Sequence, residues 1–333
     1  MSFWSVSVRI WTVAHSKIIN TLKHMKNTPR ILILSKGDPH ALATSLAREI
    51  PEAEILTDPA DIQGGPVPYI VAGKPDPGII ASVPGAELIL SLNAGIEHLL
   101  IPGEVPEQVG IVRLVDPAMT EGMSDWCLAT LLSWHRNLPL YRADTTWNRR
   151  TEVLSRDRIV TVLGAGTLGS RVARLAALIG FQTRVWSRSG RSVDGAQAFA
   201  GFEGLIEATT GADAVINLLP LTPETENVLD ENLFGRMAKG GFVSSAGRGP
   251  HLVDADLIAA LDSGQLNSAA LDVFRTEPLP DDDPLNVHPD VLVTPHVSAP
   301  TQANSAMRIM AENIRRHQQG KPIAELVDRS KGY

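Results

Sequence analysis

Short apolar runs recur along the chain, each closed by Gly, Pro or Asp, and between them apolar residues fall three and four apart. ILILS, YIVAG, ELILSL and IVRLV read as strands, and PHALATSLAREI, after the first of them, reads as a helix with Pro39 in its first turn. A second series begins at RIVTVL and continues through TRVWS, AVINLL, GFVSSA, SAALDVF and VLVTP. Within it SRVARLAALIG puts Val172, Leu175, Ala176 and Ile179 on one helical face, with Gly180 where a terminator belongs. DADLIAALDSG gives a further helix, with Asp254 as its N-cap and Gly264 at its end. Two more helices frame this series. One runs from about Glu121 to Asn137, carries Trp126 and Trp134, and is ended or kinked by Pro139. The other runs from Thr301 to Gln319, with Ala306, Ile309, Met310 and Ile314 on one side. Strands that alternate with helices predict an α/β fold of parallel sheets covered on both faces.

The chain has 333 residues, 44% of them hydrophobic, which is enough for two domains with separate cores. A net charge of −7 without any basic stripe speaks against a nucleic-acid or membrane-surface partner. No apolar stretch approaches the ~20 residues that a spanning helix needs. The only cysteine, Cys127, cannot form an internal disulfide and reads as a buried thiol in a reducing compartment, so a cytoplasmic protein is expected. Residues 1–29 differ in kind: no acid precedes Arg30, several bases occur, and Met25 opens MKNTPRILILS, a natural start. We read them as a loosely ordered extension in preference to a targeting signal.

VLGAGTLGS places Gly164, Gly166 and Gly169 in G-x-G-x-x-G order, after an apolar strand and before an amphipathic helix. That context turns a weak motif into a dinucleotide-binding one. Gly164 would permit a tight turn, Gly166 the approach of a pyrophosphate to the backbone, and Gly169 close packing of helix on strand. About 20 residues further on, an acid usually meets the ribose hydroxyls. Here the chain reads WSRSGR. Ser187 removes the repulsion an acid exerts on a 2′-phosphate, and Arg188 with Arg191 supplies cationic donors, so NADP is expected in preference to NAD.

Arg248 in SSAGRGPH, Glu277 in FRTEP and His296 in VTPHVSAP each stand just beyond a strand. In an open α/β sheet, ligands bind outside the carboxyl ends of the strands, so the three can share one crevice. Gly247 and Gly249 are expected to leave the Arg248 loop open, and the guanidinium can grip a carboxylate with two hydrogen bonds. Taken singly, the same residues read as a surface cation, a loop carboxylate and a turn histidine. The nine histidines show no metal-ligand spacing, and no metal is expected.

The order of these parts, together with LLPLTPETENVLDENLFGRMAKGG, LDVFRTEPLP and TPHVSAPT, resembles the D-isomer-specific 2-hydroxyacid dehydrogenase family. The resemblance runs from about Ile31 to the C-terminal helix and is densest between Gly164 and Thr301. WSRSGR and the compact length look most like its glyoxylate/hydroxypyruvate reductase branch. The fold this implies is two doubly wound parallel-sheet domains. An NADP-binding Rossmann domain over residues 119–299 is inserted in a flavodoxin-like substrate domain made of residues 30–118 and 300–333, with a cleft that closes over substrate.

The implied reaction is NADPH-dependent reduction of a small 2-oxo acid to the D-2-hydroxy acid, with Arg248, Glu277 and His296 catalytic. Arg248 would anchor the substrate carboxylate, helped by backbone N–H groups at Ala94 and Gly95 in NAGIEHLL. His296 would donate the proton, and Glu277 would hold the other ring nitrogen, set the tautomer and favour the protonated ring. Thr167, Leu168, Ser189, Leu219, Pro220, Thr225, Ala246 and Asp272 join Gly164, Gly166, Gly169, Ser187 and Arg188 as implied cofactor contacts, Asp272 facing the nicotinamide carboxamide. Members of the family are usually homodimers through the nucleotide domain, so the resemblance implies a homodimer, with the helix carrying Trp126 and Trp134 and the arm around Trp147 as the candidate surface.

Two departures stand out. Ser245 occupies a position where the family usually has Asn, which puts some hydrogen bonding of the Arg248 loop in doubt, and Asp125 replaces the usual acid in SDWC. Two other readings stay open: another D-2-hydroxyacid dehydrogenase of this fold, acting on phosphoglycerate, erythronate or formate, and a nonenzymatic nucleotide-sensing corepressor with the same residues. The lack of a long disordered tail and of an acid in the cofactor pocket favours the enzyme.

Overall fold

A computed structural model of the chain describes residues 28–329, so the expected extension, Met25 included, lies outside the described residues but for Thr28 and Pro29. Pro29 already serves the first sheet: its carbonyl accepts the Glu54 N–H at 3.0 Å. The chain divides into two compact units. One holds the described residues up to Leu114 and those from Gln302 onward, and the other is Val115–Thr301.

The first unit is built on β1 (Arg30–Leu34), β2 (Glu54–Leu56), β3 (Tyr69–Ala72), β4 (Leu88–Ser91) and β5 (Gly110–Val112). They lie in the order β2-β1-β3-β4-β5 with every pair parallel, the flavodoxin-like arrangement. β3 and β4 are buried at every position, as expected of central strands with helices over both faces. The helix Pro39–Glu49 starts where the Asp38 carboxylate accepts the N–H groups of His40 and Ala41, both at 3.0 Å. The helix Ala303–Gln318 returns to this unit from the end of the chain and buries Ala306, Met307, Met310, Ala311 and Ile314. Arg315 ties it to the Glu49 carbonyl, and the Ser45 hydroxyl donates to Asn304 Oδ1 at 3.1 Å.

The second unit has seven strands: β6 (Ile159–Leu163), β7 (Gln182–Trp186), β8 (Ala196–Phe199), β9 (Ala214–Asn217), β10 (Gly241–Ser245), β11 (Leu266–Leu271) and β12 (Val291–Val293). Their order is β12-β11-β10-β9-β6-β7-β8, again all parallel. Strand order reverses between β6 and β9, which is where a doubly wound sheet opens its crevice. Residues alternate between faces as the pleat requires. Val160 and Val162 join Cys127, Leu131 and Trp134 under the helix Pro117–His135, while Leu163, Val215 and Val243 pack with Phe234 and Leu257 on the other side.

Several expectations need correction. The long helix begins at Pro117, capped by the Asp116 carboxylate, and closes at His135 because Asn137 takes a left-handed φ of 55°. Pro139 therefore neither ends nor kinks it, but sits in the first turn of the next helix, Leu138–Ala143, where it gives up no hydrogen bond. Asp254 is the first residue of the helix Asp254–Asp262, with Val253 in the cap position. Trp134 offers no surface to a second copy. It is buried, stacked on Phe242 with ring centroids 5.5 Å apart, and the Arg158 guanidinium lies 4.9 Å from its ring. Next to it His135 is also buried, edge-on to Phe181 at 5.0 Å. Burial holds its imidazole below the ordinary range, and the charges of Arg158 and Arg136 push the same way. Cys127 is fully buried, and that burial pushes its thiol far up.

Candidate active site

Register across the second sheet brings six strand ends level. Trp186 pairs with Leu163, Leu163 with Asn217, Asn217 with Ser245, Ser245 with Leu271, and Leu271 with Val293. The next residue on each strand is Ser187, Gly164, Leu218, Ala246, Asp272 and Thr294. Nearly every motif singled out in the sequence of this unit therefore leaves the sheet along one edge, the carboxyl edge.

The three glycines of the first loop do different things. Gly164 has φ 111°, and a Cβ there would lie 2.8 Å from the Leu218 carbonyl. A Cβ at Gly169 would lie 1.9 Å from the Gly164 carbonyl, so the helix could not approach the strand. At Gly166 a Cβ would meet nothing within 4 Å. Gly166 is the N-cap of the helix Thr167–Ile179 and has no side chain to satisfy its first N–H groups. Open space at a helix start with unsatisfied donors fits a bound pyrophosphate. Thr167 and Leu168 are the first residues of that helix.

After β7 the chain turns at once, with Gly190 N–H donating to the Ser187 carbonyl and Arg191 N–H to the Ser187 hydroxyl, both at 3.1 Å. The turn leaves Arg188, Ser189 and Arg191 exposed. The loop after β9 carries Leu219, Pro220 and Thr225. The Thr225 hydroxyl donates to the Pro220 carbonyl and accepts the Thr222 N–H, both at 2.8 Å, which fixes the loop's shape. The Glu224 carboxyl is held below its usual range, first by a hydrogen bond from Thr222 and last by the Arg188 charge.

Arg248 is half-buried, and its side chain donates to the Gly247 carbonyl at 2.6 Å. The flanking glycines do not leave the loop open, as expected; they let it close. A Cβ at Gly249 would lie 1.9 Å from the Phe274 carbonyl carbon, and one at Gly247 only 3.0 Å from the Leu219 carbonyl and from His251 Nδ1. The loop carrying Arg248 thus lies backbone against backbone with the one leading to Glu277.

Glu277 spans two loops. Oε1 accepts the Phe274 N–H at 3.0 Å, and Oε2 lies 2.8 Å from His296 Nδ1. An ionised carboxylate only accepts, so Nδ1 carries the hydrogen and Nε2 is left as the ring's other polar atom. His296 itself adopts φ 54°, a conformation rare outside glycine. Asp272 holds it there. Its carboxylate is fully buried and takes three donors from either side of His296: the Thr294 hydroxyl at 2.5 Å, and the N–H groups of Val297 and Ser298, both at 2.9 Å. Within this unit both oxygens of Asp272, which was expected to face the cofactor, fasten the histidine loop.

The missing Asn at position 245 has a local answer. Asn217, level with Ser245 on the adjacent strand, donates from Nδ2 to the Ser245 hydroxyl at 3.1 Å and lies 3.0 Å from His251 Nδ1. Neither Asn217 nor His251 stood out in the sequence, because only the neighbouring strand gives them a role. In the first unit, Ala94 and Gly95 form a half-buried turn just past β4, anchored by the buried Ile96 and Leu99. Among the described residues, no group of His, Cys, Asp and Glu is placed to hold a metal ion, and no helix is long and apolar enough to cross a membrane.

Comparison with known proteins finds a family model, the NAD binding domain of D-isomer specific 2-hydroxyacid dehydrogenases, matching residues 128–298. A glyoxylate/hydroxypyruvate reductase A of Serratia proteamaculans is 36% identical over 297 residues, which is 86% of this chain and 94% of the relative. Among solved structures, a D-isomer specific 2-hydroxyacid dehydrogenase of Xanthobacter autotrophicus in complex with NADPH and MES superposes with a TM-score of 0.87 at 32% identity, covering 92% of this chain and 100% of that one. The NADPH-dependent glyoxylate/hydroxypyruvate reductase of Sinorhizobium meliloti, in complex with NADP and sulfate, gives 0.86 at 32% identity with the same coverage.

Proposed function

The chain belongs to the D-isomer specific 2-hydroxyacid dehydrogenase family, and from that membership we propose that it is an NADPH-dependent reductase of small 2-oxo acids, glyoxylate and hydroxypyruvate among them. One observation carries the chemistry. His296 is fixed on Glu277 at 2.8 Å through Nδ1, which leaves Nε2 to act on a substrate.

NADPH supplies the hydride when it is bound. Gly164, Gly166 and the start of the helix Thr167–Ile179 would hold its pyrophosphate, and Ser187 and Arg188 would meet the 2′-phosphate. Arg248, its side chain braced on the Gly247 carbonyl, would grip the substrate carboxylate and fix the substrate's orientation. His296 gives its Nε2 proton to the carbonyl oxygen as the alcohol forms, and Glu277 keeps the ring oriented and offsets its positive charge. The product is the D-2-hydroxy acid. Cytoplasmic residence and a homodimer belong to the same reading. Leu138, Leu140, Trp147 and Leu154, exposed along the segment after the long helix, give a second copy its apolar surface in place of Trp134.

The test is NADPH oxidation, followed at the nicotinamide band, over a panel of 2-oxo acids. We expect turnover with glyoxylate and hydroxypyruvate, and a loss of ~10²–10⁴-fold in His296→Gln with NADPH binding retained. A protein that binds NADPH yet reduces nothing on the panel favours the nucleotide-sensing alternative and overturns the proposal.

A further inference from the structure

His251 is fully buried, touches no exposed face of the site, and yet meets three segments that the reaction needs. Its Nδ1 lies 3.2 Å from the Arg248 backbone nitrogen and 3.0 Å from Asn217 Nδ2. Its Nε2 lies 3.2 Å from the Pro220 carbonyl. The partners settle the ring's protonation. The Asn217 amide cannot be turned round, because Oδ1 accepts the Leu219 N–H at 3.3 Å while Nδ2 donates to the Ser245 hydroxyl. Two N–H donors therefore converge on Nδ1, which must accept, and a carbonyl faces Nε2, which must donate. The ring is the neutral Nε2–H tautomer, held between Asn217, the Arg248 backbone and the Pro220 carbonyl.

We infer that His251 is a positioning residue for substrate binding: through Nδ1 it fixes the backbone at Arg248, and through Nε2–H it ties that loop to the Leu219–Pro220 segment. The inference rests on the reductase reading and adds a residue to it. Gly247 shows how little slack exists, since a Cβ there would press on His251 Nδ1, Asn217 and the Leu219 carbonyl at once. With the Arg248 N–H left without its acceptor, the guanidinium no longer meets the carboxylate in one fixed pose. The glycine loop after β6 and the Ser187 turn have no part in this cluster, so NADPH, which meets it only through the implied contacts at Leu219 and Pro220, should lose far less affinity than the substrate does.

The experiment compares His251→Leu, His251→Asn and His251→Gln in the full chain, measuring melting temperature, NADPH affinity by fluorescence titration, and KM and kcat for glyoxylate at saturating NADPH. Asn places an oxygen where Nδ1 was, while Gln reaches only the Nε2 position. We expect His251→Leu and His251→Gln to raise the KM for glyoxylate roughly tenfold or more, with kcat and NADPH affinity falling much less. His251→Asn should recover most of the loss. If the leucine variant does not fold, the contrast between Asn and Gln decides by itself. Equal KM values in variants and wild type, no difference between Asn and Gln, or an NADPH affinity that falls in step with KM would each overturn the inference. A wild type that binds NADPH but reduces no 2-oxo acid overturns the functional reading and this inference with it; an active wild type with indifferent variants overturns the inference alone.

Discussion

Arg188 sits exposed on a turn whose shape is already fixed by the bonds from Gly190 and Arg191 back to Ser187. Its charge is therefore held near one place without burial cost, a suitable arrangement for a phosphate that comes and goes. A charge-assisted contact contributes ~1.5–3 kcal/mol, so Arg188→Ala should raise the Michaelis constant for NADPH roughly 10- to 150-fold and that for NADH little. Ser187→Asp should shift the preference toward NADH, because a carboxylate repels the 2′-phosphate and accepts bonds from free ribose hydroxyls. Steady-state kinetics with both cofactors decides, and equal effects on the two would show that the turn does not read the phosphate. Ser187, Arg188, Glu277 and His296 were legible in the sequence because each follows an apolar run that had to be a strand. His251 and Asn217 were not, since a buried imidazole and a buried amide acquire their partners only when β9 and β10 lie side by side in register.

Among the elements, the loops after β6 and β10 contain glycines of opposite kinds. Gly249 has the Phe274 carbonyl where its Cβ would be, so Gly249→Ala must push two loop backbones apart. It should cost about 1–3 kcal/mol of stability and most of the activity. Gly166 has nothing where its Cβ would be and a φ of −74° open to any residue. Gly166→Ala should therefore melt like the wild type yet bind NADPH weakly, because the added methyl occupies the space kept for the pyrophosphate. Thermal melts and cofactor titration on both variants separate the two. The sequence pattern told the roles of Gly164, Gly166 and Gly169 apart, but read Gly247 and Gly249 as opening a loop that they allow to close, because the facing Phe274 backbone comes from the end of another strand. It also passed over β2 and β8, edge strands of three and four residues with no fully buried position, which lack the continuous apolar run that betrays a central strand.

For the whole molecule, stability near neutrality should depend on pH through His135. Its folded imidazole is held below the ordinary value of 6.5, so as pH falls through that value the unfolded chain takes up a proton before the folded one does. Stability then falls with pH by at most about 1.4 kcal/mol per unit, until the folded ring is protonated too. His135→Gln, which keeps a donor near the Ser155 hydroxyl but does not titrate, should have a flatter profile in urea melts across about pH 5 to 8. Parallel profiles for variant and wild type would show that His135 carries none of the dependence. The same helix holds the chain's only cysteine, sealed in the core with its thiol pushed far from the reactive thiolate. That makes the protein a ready frame for single-site labelling. One cysteine added on each unit would take up a donor and an acceptor dye without any background at Cys127, and the distance between the units could be read in solution, one molecule at a time.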